Sequence, residues 1–164
     1  MTLTVRPFRP DEAMLFRTLR LEALQVGAEF YGTDHDDEAA KDDAWFAAQL
    51  AHGVVFAAFD GETPIGMAGL RQEAGRRKAH KATLWGMYVS PPARGAGAAP
   101  ALVEAVLDHA RAQGLSQVLL TVMARNARAR ALYARKGFSD WGCEPAAIRI
   151  DEEAFDDIHM IRRL

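Results

Sequence analysis

The 164-residue sequence contains one cysteine, Cys143, and no long apolar run. A single cysteine excludes an intrachain disulfide and a cysteine-based metal site, so Cys143 is expected to be a small packing residue. No apolar segment approaches the roughly 20 residues of a membrane-spanning helix. Residues 1–7 also lack the basic and apolar regions of a secretory signal. We therefore expect a cytoplasmic protein without a membrane partner.

The sequence also lacks an excess of positive charge. Its formal net charge is −2 at pH 7. Nucleic-acid-binding domains usually carry a positive surplus that displaces phosphate counterions, so nucleic acid is not an expected partner. With 49% hydrophobic and 26% charged residues, the composition is that of an ordinary folded protein. The chain has no internal repeat or linker, and residues 1–164 are predicted to form a single domain.

Hydrophobic periodicity predicts the element order β-α-α-β-β-β-α-β-α-β-β. The first helix is expected to be capped by Asp11, and the second to run from about residue 38 to 51. The last two strands are expected near residues 138–141 and 158–164, joined by a longer loop. A hairpin meander followed by one strand–helix–strand crossover predicts an α/β (α+β) fold. About four helices should flank a mixed, mostly antiparallel sheet of about seven strands.

The loop at residues 90–99 is made largely of small residues and leads into a helix predicted at 100–113. A helix N-terminus offers unpaired N–H groups and partial positive charge to a phosphate. Gly95 and Gly97 would let the backbone approach it closely. A P-loop needs Gly-Lys-Ser/Thr after the glycines, and a dinucleotide fingerprint needs glycine where Pro100 stands, so neither motif fits. A flexible loop of small residues is the alternative.

A second cluster occupies residues 126–138. Asn126 stands at the N-cap position of a predicted helix. Tyr133 follows seven residues later, which returns it to within about 20° of the same face and about 10 Å along the axis. The two side chains should therefore line one stripe of the helix. A helix cap and an unrelated core aromatic are the alternative interpretation.

Together the two clusters resemble the GCN5-related N-acetyltransferase (GNAT) superfamily. The family's acetyl-CoA signature, Arg/Gln-x-x-Gly-x-Gly/Ala, is similar to residues 94–99, and its later Asn…Leu-Tyr…Gly-Phe pattern to residues 126–138. The close matches cover about residues 82–138. The resemblance implies an acyl-CoA N-acyltransferase fold. It also implies an enzyme that transfers the acetyl group of acetyl-CoA to a primary amine by direct attack, without a metal.

The resemblance also implies roles for individual residues. Tyr133 would be the general acid that protonates or hydrogen-bonds the departing CoA thiolate, because a phenol of pKa about 10 keeps its proton at neutral pH. The acceptor side is expected to include Glu29, Phe30, Tyr31 and Trp85, although core packing explains Trp85 equally well. The residues expected to bind acetyl-CoA are Met87, Tyr88, Val89, Arg94, Gly95, Ala96, Gly97, Ala98, Ala99, Asn126 and Tyr133.

The sequence departs from the family at the general base. Thr83 stands where many members carry a glutamate. His80, Glu29 and a chain of water molecules remain candidates, and an acceptor amine of lowered pKa would need less help. A catalytically weak or inactive CoA-binding regulatory module is the alternative function. The acceptor is expected to be a small-molecule or peptide amine; no motif sets the oligomeric state, and a homodimer is compatible with it.

Two charged segments have simple explanations. Residues 34–38 are acidic, which suits a helix start and also the attraction of a cationic amine. The hairpin that contains Arg71, Arg76, Arg77, Lys78 and Lys81 is basic. A solvated hairpin is the default interpretation, and contact with an acidic substrate is the alternative.

Overall fold

The computed structural model describes residues 2–164, which form a mixed seven-stranded sheet and five α-helices. The strands are β1 (Leu3–Pro7), β2 (Val54–Asp60), β3 (Thr63–Gln72), β4 (Lys81–Val89), β5 (Gln117–Met123), β6 (Ser139–Ile150) and β7 (Glu153–Arg163). The helices are α1 (Ala13–Val26), α2 (His35–Ala39), α3 (Asp43–Ala51), α4 (Ala98–Ala112) and α5 (Ala127–Arg135). Within residues 2–164, no helix is both long and apolar enough to cross a bilayer.

The strand order is β1-β2-β3-β4-β5-β7-β6. Neighbouring strands of the described chain are antiparallel except β4 and β5, which run parallel. Their connection through α4 is the strand–helix–strand crossover expected from the sequence, because parallel neighbours need a long connection. The predicted mixed, mostly antiparallel sheet is confirmed.

Helices cover both faces of the sheet. Side chains alternate along a strand, and in β2 Val55, Ala57 and Phe59 pack with residues of α1 and α3. Phe56 and Ala58 point to the opposite face and pack against α4. We call these the α1/α3 face and the α4 face. The two apolar cores therefore determine which strand residues point to each face of the sheet.

The parallel pair β4 and β5 opens toward its C-terminal end. Pairing runs from Lys81↔Gln117 to Thr83↔Leu119 and stops there. Further along β4, the register with β3 shifts between Met67 and Gly69, and Gly86 adopts a φ of 64°. A residue with a side chain rarely adopts this left-handed conformation, so glycine permits the irregularity. The strands therefore separate beyond residues 83 and 119 and leave a gap in the sheet.

Several element boundaries differ from those expected. The second helix is two helices, because Asp42 begins a new one by accepting a 2.9 Å hydrogen bond from the N–H of Trp45. This raises the helix count to five. Helix α1 is preceded by a 3₁₀ turn at Pro10–Glu12, so Asp11 lies within that turn and does not cap α1. Helix α4 begins at Ala98, two residues before the predicted start.

The C-terminal segment also differs. It forms one long hairpin of β6 and β7, where two short strands and a loop were expected. Asp151 makes the tight turn with a φ of 54°. β6 is an edge strand, which leaves Cys143 exposed and corrects its expected packing role. The sequence pattern understated β6 because an edge strand has little apolar alternation to signal it.

Candidate functional site

A cavity of about 790 Å³ occupies the gap between β4 and β5. Its lining includes the C-terminal half of β4, the loop at residues 94–97, which we call the glycine loop, the start of α4 and one face of α5. We call it the main cavity. Most residues expected to bind acetyl-CoA line it: Met87, Tyr88, Val89, Arg94, Gly95, Gly97, Ala98, Ala99, Asn126 and Tyr133. Ala96 does not line it within the described chain.

The glycine loop presents bare backbone to the main cavity. Gly95 and Gly97 have φ values of 87° and 89°, and a Cβ built at either would have no heavy atom within 4 Å. Glycine is therefore required by the left-handed backbone rather than by crowding. Gly97 is the N-cap of α4, and the first helical hydrogen bond runs from Ala101 N–H to its carbonyl. The N–H groups of Ala98 and Ala99 remain available to an anion.

Three arginines line the same cavity as this backbone segment. Arg94, Arg128 and Arg135 line the main cavity, whereas Asp157 is its one acidic lining residue within residues 2–164. The chain as a whole carries a net charge of −2. Positive charge is therefore concentrated at the cavity, and the site suits a ligand with several phosphate charges.

Asn126 and Tyr133 lie on the same side of α5. The Asn126 side-chain oxygen caps the helix by accepting a 3.1 Å hydrogen bond from Ala129 N–H, as the sequence predicted. Tyr133 is buried in the α4-face core against Phe138, with ring centroids 5.8 Å apart. Burial, and then the nearby Tyr31 phenol, raises the pKa of Tyr133 above its ordinary value. The Tyr133 phenol therefore keeps its proton at neutral pH.

Tyr31 approaches the same gap from the α1/α3 face. Its hydroxyl donates a 2.6 Å hydrogen bond to the carbonyl of Met87, and burial raises its pKa. The bond ties the loop after α1 to β4 at the point where β5 has moved away. Tyr88 is anchored nearby by a 2.8 Å hydrogen bond from its hydroxyl to Glu22, and burial raises its pKa to about 12.

The residues expected at the acceptor side divide into two groups. Phe30, Tyr31 and Trp85 line the main cavity. Glu29 does not line it and is exposed, with its backbone carbonyl bonded to Arg125 at 2.6 Å. His80 is likewise exposed at the N-terminal end of β4 and lines neither described cavity. Neither of the two base candidates named from the sequence therefore lines a described cavity.

Thr83, expected from the sequence resemblance to replace a glutamate, lines the main cavity. Its hydroxyl donates a 3.1 Å hydrogen bond to Glu73, which lies in the hairpin after β3. Glu73 is not itself a lining residue. The Thr83 hydroxyl therefore donates its proton to Glu73 and not into the main cavity.

Asp157 also lines the site, although no motif or periodicity in the sequence distinguishes it. It is 8% exposed, lines the main cavity, and pairs in register with Met123 of β5. Burial, and then the charge of Glu144, raises the pKa of Asp157, with His159 acting in the opposite direction. A buried acid in a cleft is a functional-site candidate. Only the long-range pairing of β5 with β7 brings it there.

A buried ion pair was also missed. Arg20 is 6% exposed and binds Glu38 through two hydrogen bonds, of 2.9 and 2.7 Å. Glu38 belongs to the acidic segment 34–38, so this segment is more than a solvated helix start. The spacing of Phe16, Arg20 and Ala23 on the buried side of α1 is the signal that was available.

Comparisons with known proteins agree with this geometry. The family model described as "Acetyltransferase (GNAT) family" matches residues 18–138. Two curated relatives match shorter segments: the mycothiol acetyltransferase of Beutenbergia cavernae is 49% identical over 51 residues, and the IAA acetyltransferase of Azospirillum brasilense is 45% identical over 56. These matches cover 31% and 34% of the chain, and only 17% and 37% of the two relatives.

Solved structures match along nearly the whole chain. A GNAT-family acetyltransferase from Streptococcus pneumoniae superposes with a TM-score of 0.84 at 22% identity, covering 99% of this chain and 100% of that one. The yncA protein of Salmonella typhimurium, solved with its cofactor acetyl-CoA, has a TM-score of 0.82 at 19% identity and covers 100% and 95%. Identities this low support the fold alone. The family match over residues 18–138 goes further, and the chain belongs to the GNAT acetyltransferase family.

Proposed function

We propose that this protein transfers the acetyl group of acetyl-CoA to a primary amine by direct attack of the amine on the thioester. The observation that carries the proposal is the main cavity, which joins the open N–H groups of the glycine loop to the Tyr133 phenol. Phosphate recognition and an acid for the leaving group thus lie in one continuous space. The alternative, a CoA-binding module without turnover, has no comparable support.

The lining residues fit acetyl-CoA. The N–H groups of Ala98 and Ala99 would bind the pyrophosphate, and Arg94 and Arg128 would supplement their charge. Arg94 is itself held by a 3.1 Å hydrogen bond from Nε to the carbonyl of Val89. The β4 backbone that no longer pairs with β5 would orient the pantetheine arm, and Asn126 would contact it from α5.

Tyr133 is proposed as the general acid. Because its pKa is raised, the phenol is a weak acid that remains protonated and can donate a hydrogen bond throughout the neutral pH range. Stabilisation of developing negative charge on sulfur therefore comes first, and the proton follows as the carbon–sulfur bond breaks. No hydrogen bond to another side chain occupies the Tyr133 hydroxyl within residues 2–164, so it is free to face a ligand.

Asp157 is proposed as the general base, acting directly or through one water molecule. Its partner Met123 lies four residues beyond the last β4–β5 pair, and Met87 lies four residues beyond it in β4. Asp157 is thus at a similar depth in the gap to Met87. Cross-strand partners share a face, and Met123 alternates with Val122, which packs on the α4 face. Asp157 therefore lies on the α1/α3 face, opposite Tyr133.

These positions account for each bond and each proton of the transfer. The amine nitrogen attacks the thioester carbon from the α1/α3 face and forms the carbon–nitrogen bond. The carbon–sulfur bond breaks, and the thiolate receives a proton through Tyr133. The proton lost by the amine goes to Asp157 and then to solvent. The products are an N-acetyl amine and CoA thiol.

Calorimetry and thiol release test this function together. Purified protein should bind acetyl-CoA, and NAD or ATP at the same concentration should give no comparable heat. Addition of a mixed amine panel should then release free CoA thiol above the hydrolytic background. Binding without amine-dependent release would favour the inactive module, and absence of acetyl-CoA binding would overturn the proposal entirely.

A further inference from the structure

A second cavity of about 360 Å³ lies on the α1/α3 face. It shares Tyr31, Trp85 and Gly86 with the main cavity, so the two cavities meet beside the gap in the sheet. We call it the second cavity. Its volume is near the lower end of the range for small-molecule pockets, about 300–1,000 Å³. We call the place where the two cavities meet, at Tyr31, Trp85 and Gly86, the junction. One end of a compact ligand in the second cavity would reach it.

Rigid aromatic rings form one wall of the second cavity. Trp85 packs edge-on against Phe16, with ring centroids 6.4 Å apart. Gly69 is the cross-strand partner of Trp85, and a Cβ at Gly69 would collide with the indole. Because Gly69 has no side chain, the Trp85 indole can occupy the space beside it. Trp45 completes the aromatic part of the lining.

An unpaired guanidinium nitrogen faces the junction. Arg20 uses Nε and Nη2 to bind Glu38, while its Nη1 makes no hydrogen bond within residues 2–164. That Nη1 lies 3.6 Å from the position of a Cβ built at Gly86. Arg20 is only 6% exposed overall, but Nη1 is not among the buried unpartnered atoms of residues 2–164, so this donor is accessible from the cavity. A ligand oxygen at the junction would satisfy it.

Arg71 adds a second guanidinium at the outer side. Its Nη2 donates a 3.1 Å hydrogen bond to Gln49, and its guanidinium lies 5.2 Å from the centroid of the Trp85 ring. Arg20 and Arg71 line the second cavity together with one carboxylate, Glu38. Because Arg20 already neutralises Glu38, Arg71 leaves a surplus of one positive charge. The second cavity therefore favours an anion over a second cation.

We propose that the second cavity binds the acceptor through a carboxylate, so that the substrate is a compact amine of amino-acid type. The carboxylate would bind Arg20 Nη1 and Arg71. The amine would lie at the junction, where the Tyr31 oxygen can accept a hydrogen bond because its own hydrogen is donated to Met87. This inference rests on the proposed acetyl transfer. Polyamines bring only positive charge and fit the cavity poorly.

The proposal is tested with a panel of standard α-amino acids, each paired with its carboxamide and its decarboxylated amine. Thiol release at saturating acetyl-CoA gives kcat/KM for each compound. We expect at least one amino acid to exceed both uncharged counterparts by about tenfold or more, as hydrogen bonds to charged groups provide. Equal or better turnover of the uncharged counterparts throughout the panel would overturn the carboxylate assignment and leave the acetyl transfer intact.

Arg71→Gln identifies the group responsible. It should lower kcat/KM about tenfold for the preferred amino acid and leave its carboxamide unaffected. Arg76→Gln is the matched control, because it removes the same charge from the same hairpin and Arg76 does not line the second cavity. Equal effects of the two variants, or equal losses for acid and amide, would contradict the proposal.

A binding measurement separates this inference from catalysis. Trp45 and Trp85 line the second cavity, so the preferred amino acid should change the tryptophan fluorescence in a saturable way. Arg71→Gln should weaken that binding about tenfold. If no amine in the panel is acetylated, this titration still decides the question: saturable binding that depends on Arg71 supports the carboxylate site, and its absence overturns it.

Discussion

The main cavity and the second cavity meet at Gly86, yet they are built differently. The main cavity takes its proposed phosphate site from bare backbone in one continuous segment, residues 94–99, where α4 begins. The second cavity takes its character from side chains of α1, α2, α3, β3 and β4 that converge only in the folded chain. A ligand common to a family can be held by backbone, whereas discrimination between acceptors needs side chains that differ from chain to chain.

Tyr133→Phe is expected to have the largest effect, and it tests whether the main cavity acts on the cofactor independently of the acceptor. Loss of the phenolic hydroxyl should lower kcat about 10²-fold for every amine, because the leaving thiolate is the same for all of them. Steady-state thiol release over the amine panel measures this effect, and calorimetry should show a much smaller change in the affinity for acetyl-CoA. A loss restricted to some amines would place Tyr133 on the acceptor side and break the comparison.

Asp157→Asn should lower kcat by about 10- to 100-fold, because the proton of the attacking amine loses its acceptor. The pKa of Asp157 is raised by burial and Glu144. An acid must be ionised to act as a base, so kcat should fall as pH decreases through this raised pKa. The pH profile of kcat should lose that fall in the variant.

Asp156→Asn is the control for this variant, since the neighbouring residue does not line the main cavity and its Oδ1 bond to Ala146 N–H can persist in asparagine. If both variants retain the acidic limb and full turnover, a water chain or the acceptor's own pKa carries the deprotonation, and Asp157 has no catalytic part.

Gly97→Val should weaken acetyl-CoA binding about tenfold, because a left-handed backbone costs a residue with a side chain about 1–2 kcal/mol. The order of preference among amines should not change. Gly75→Val is the matched control: Gly75 has a φ of 91° and open surroundings like Gly97, but it lies in the β3–β4 hairpin. Calorimetry should give both variants a similar loss of stability and only Gly97→Val a loss of affinity.

Glu12→Gln should change neither acetyl-CoA binding nor the preference among amines. It should reduce only the free energy of unfolding. Hydrogen bonds from Arg6 and from Arg9 N–H, each 2.8 Å, lower the pKa of Glu12 to about 2. Its contribution is therefore complete above the ordinary carboxyl pKa and is lost as pH falls toward 2. The free energy of unfolding in urea at pH 7 should decrease by about 1–3 kcal/mol.

The same measurement on Asp11→Asn is the control, because the Arg9–Asp11 pair is largely exposed and exposed pairs contribute about 0–1 kcal/mol. A smaller effect of Glu12→Gln than of Asp11→Asn at neutral pH would contradict the assigned bonding of the 3₁₀ turn.

The contrast between the cavities also explains what the sequence could reveal. The succession of elements in the first half of the chain, the crossover and the segments proposed to bind the cofactor depend on local periodicity and short motifs, and these were predicted. Asp157 and the Arg20–Glu38 pair depend on contacts between distant segments, 34 residues apart for Met123 and Asp157. The spacing of α1 could have marked Arg20 as buried, but one sequence carries no signal for which distant residue it pairs with. The break at Asp42 and the start at Ala98 were local and went unrecognised.

The gap between β4 and β5 has a mechanical consequence. Three residue pairs join one part of the sheet, β1 to β4, to the other, β5 to β7. A pantetheine chain lying in the gap would contact both β4 and β5 where they do not pair with each other. Bound cofactor would then connect the two parts of the sheet. Acetyl-CoA should therefore slow amide hydrogen exchange on both sides of the gap at once, and departure of CoA would loosen the sheet along the same seam.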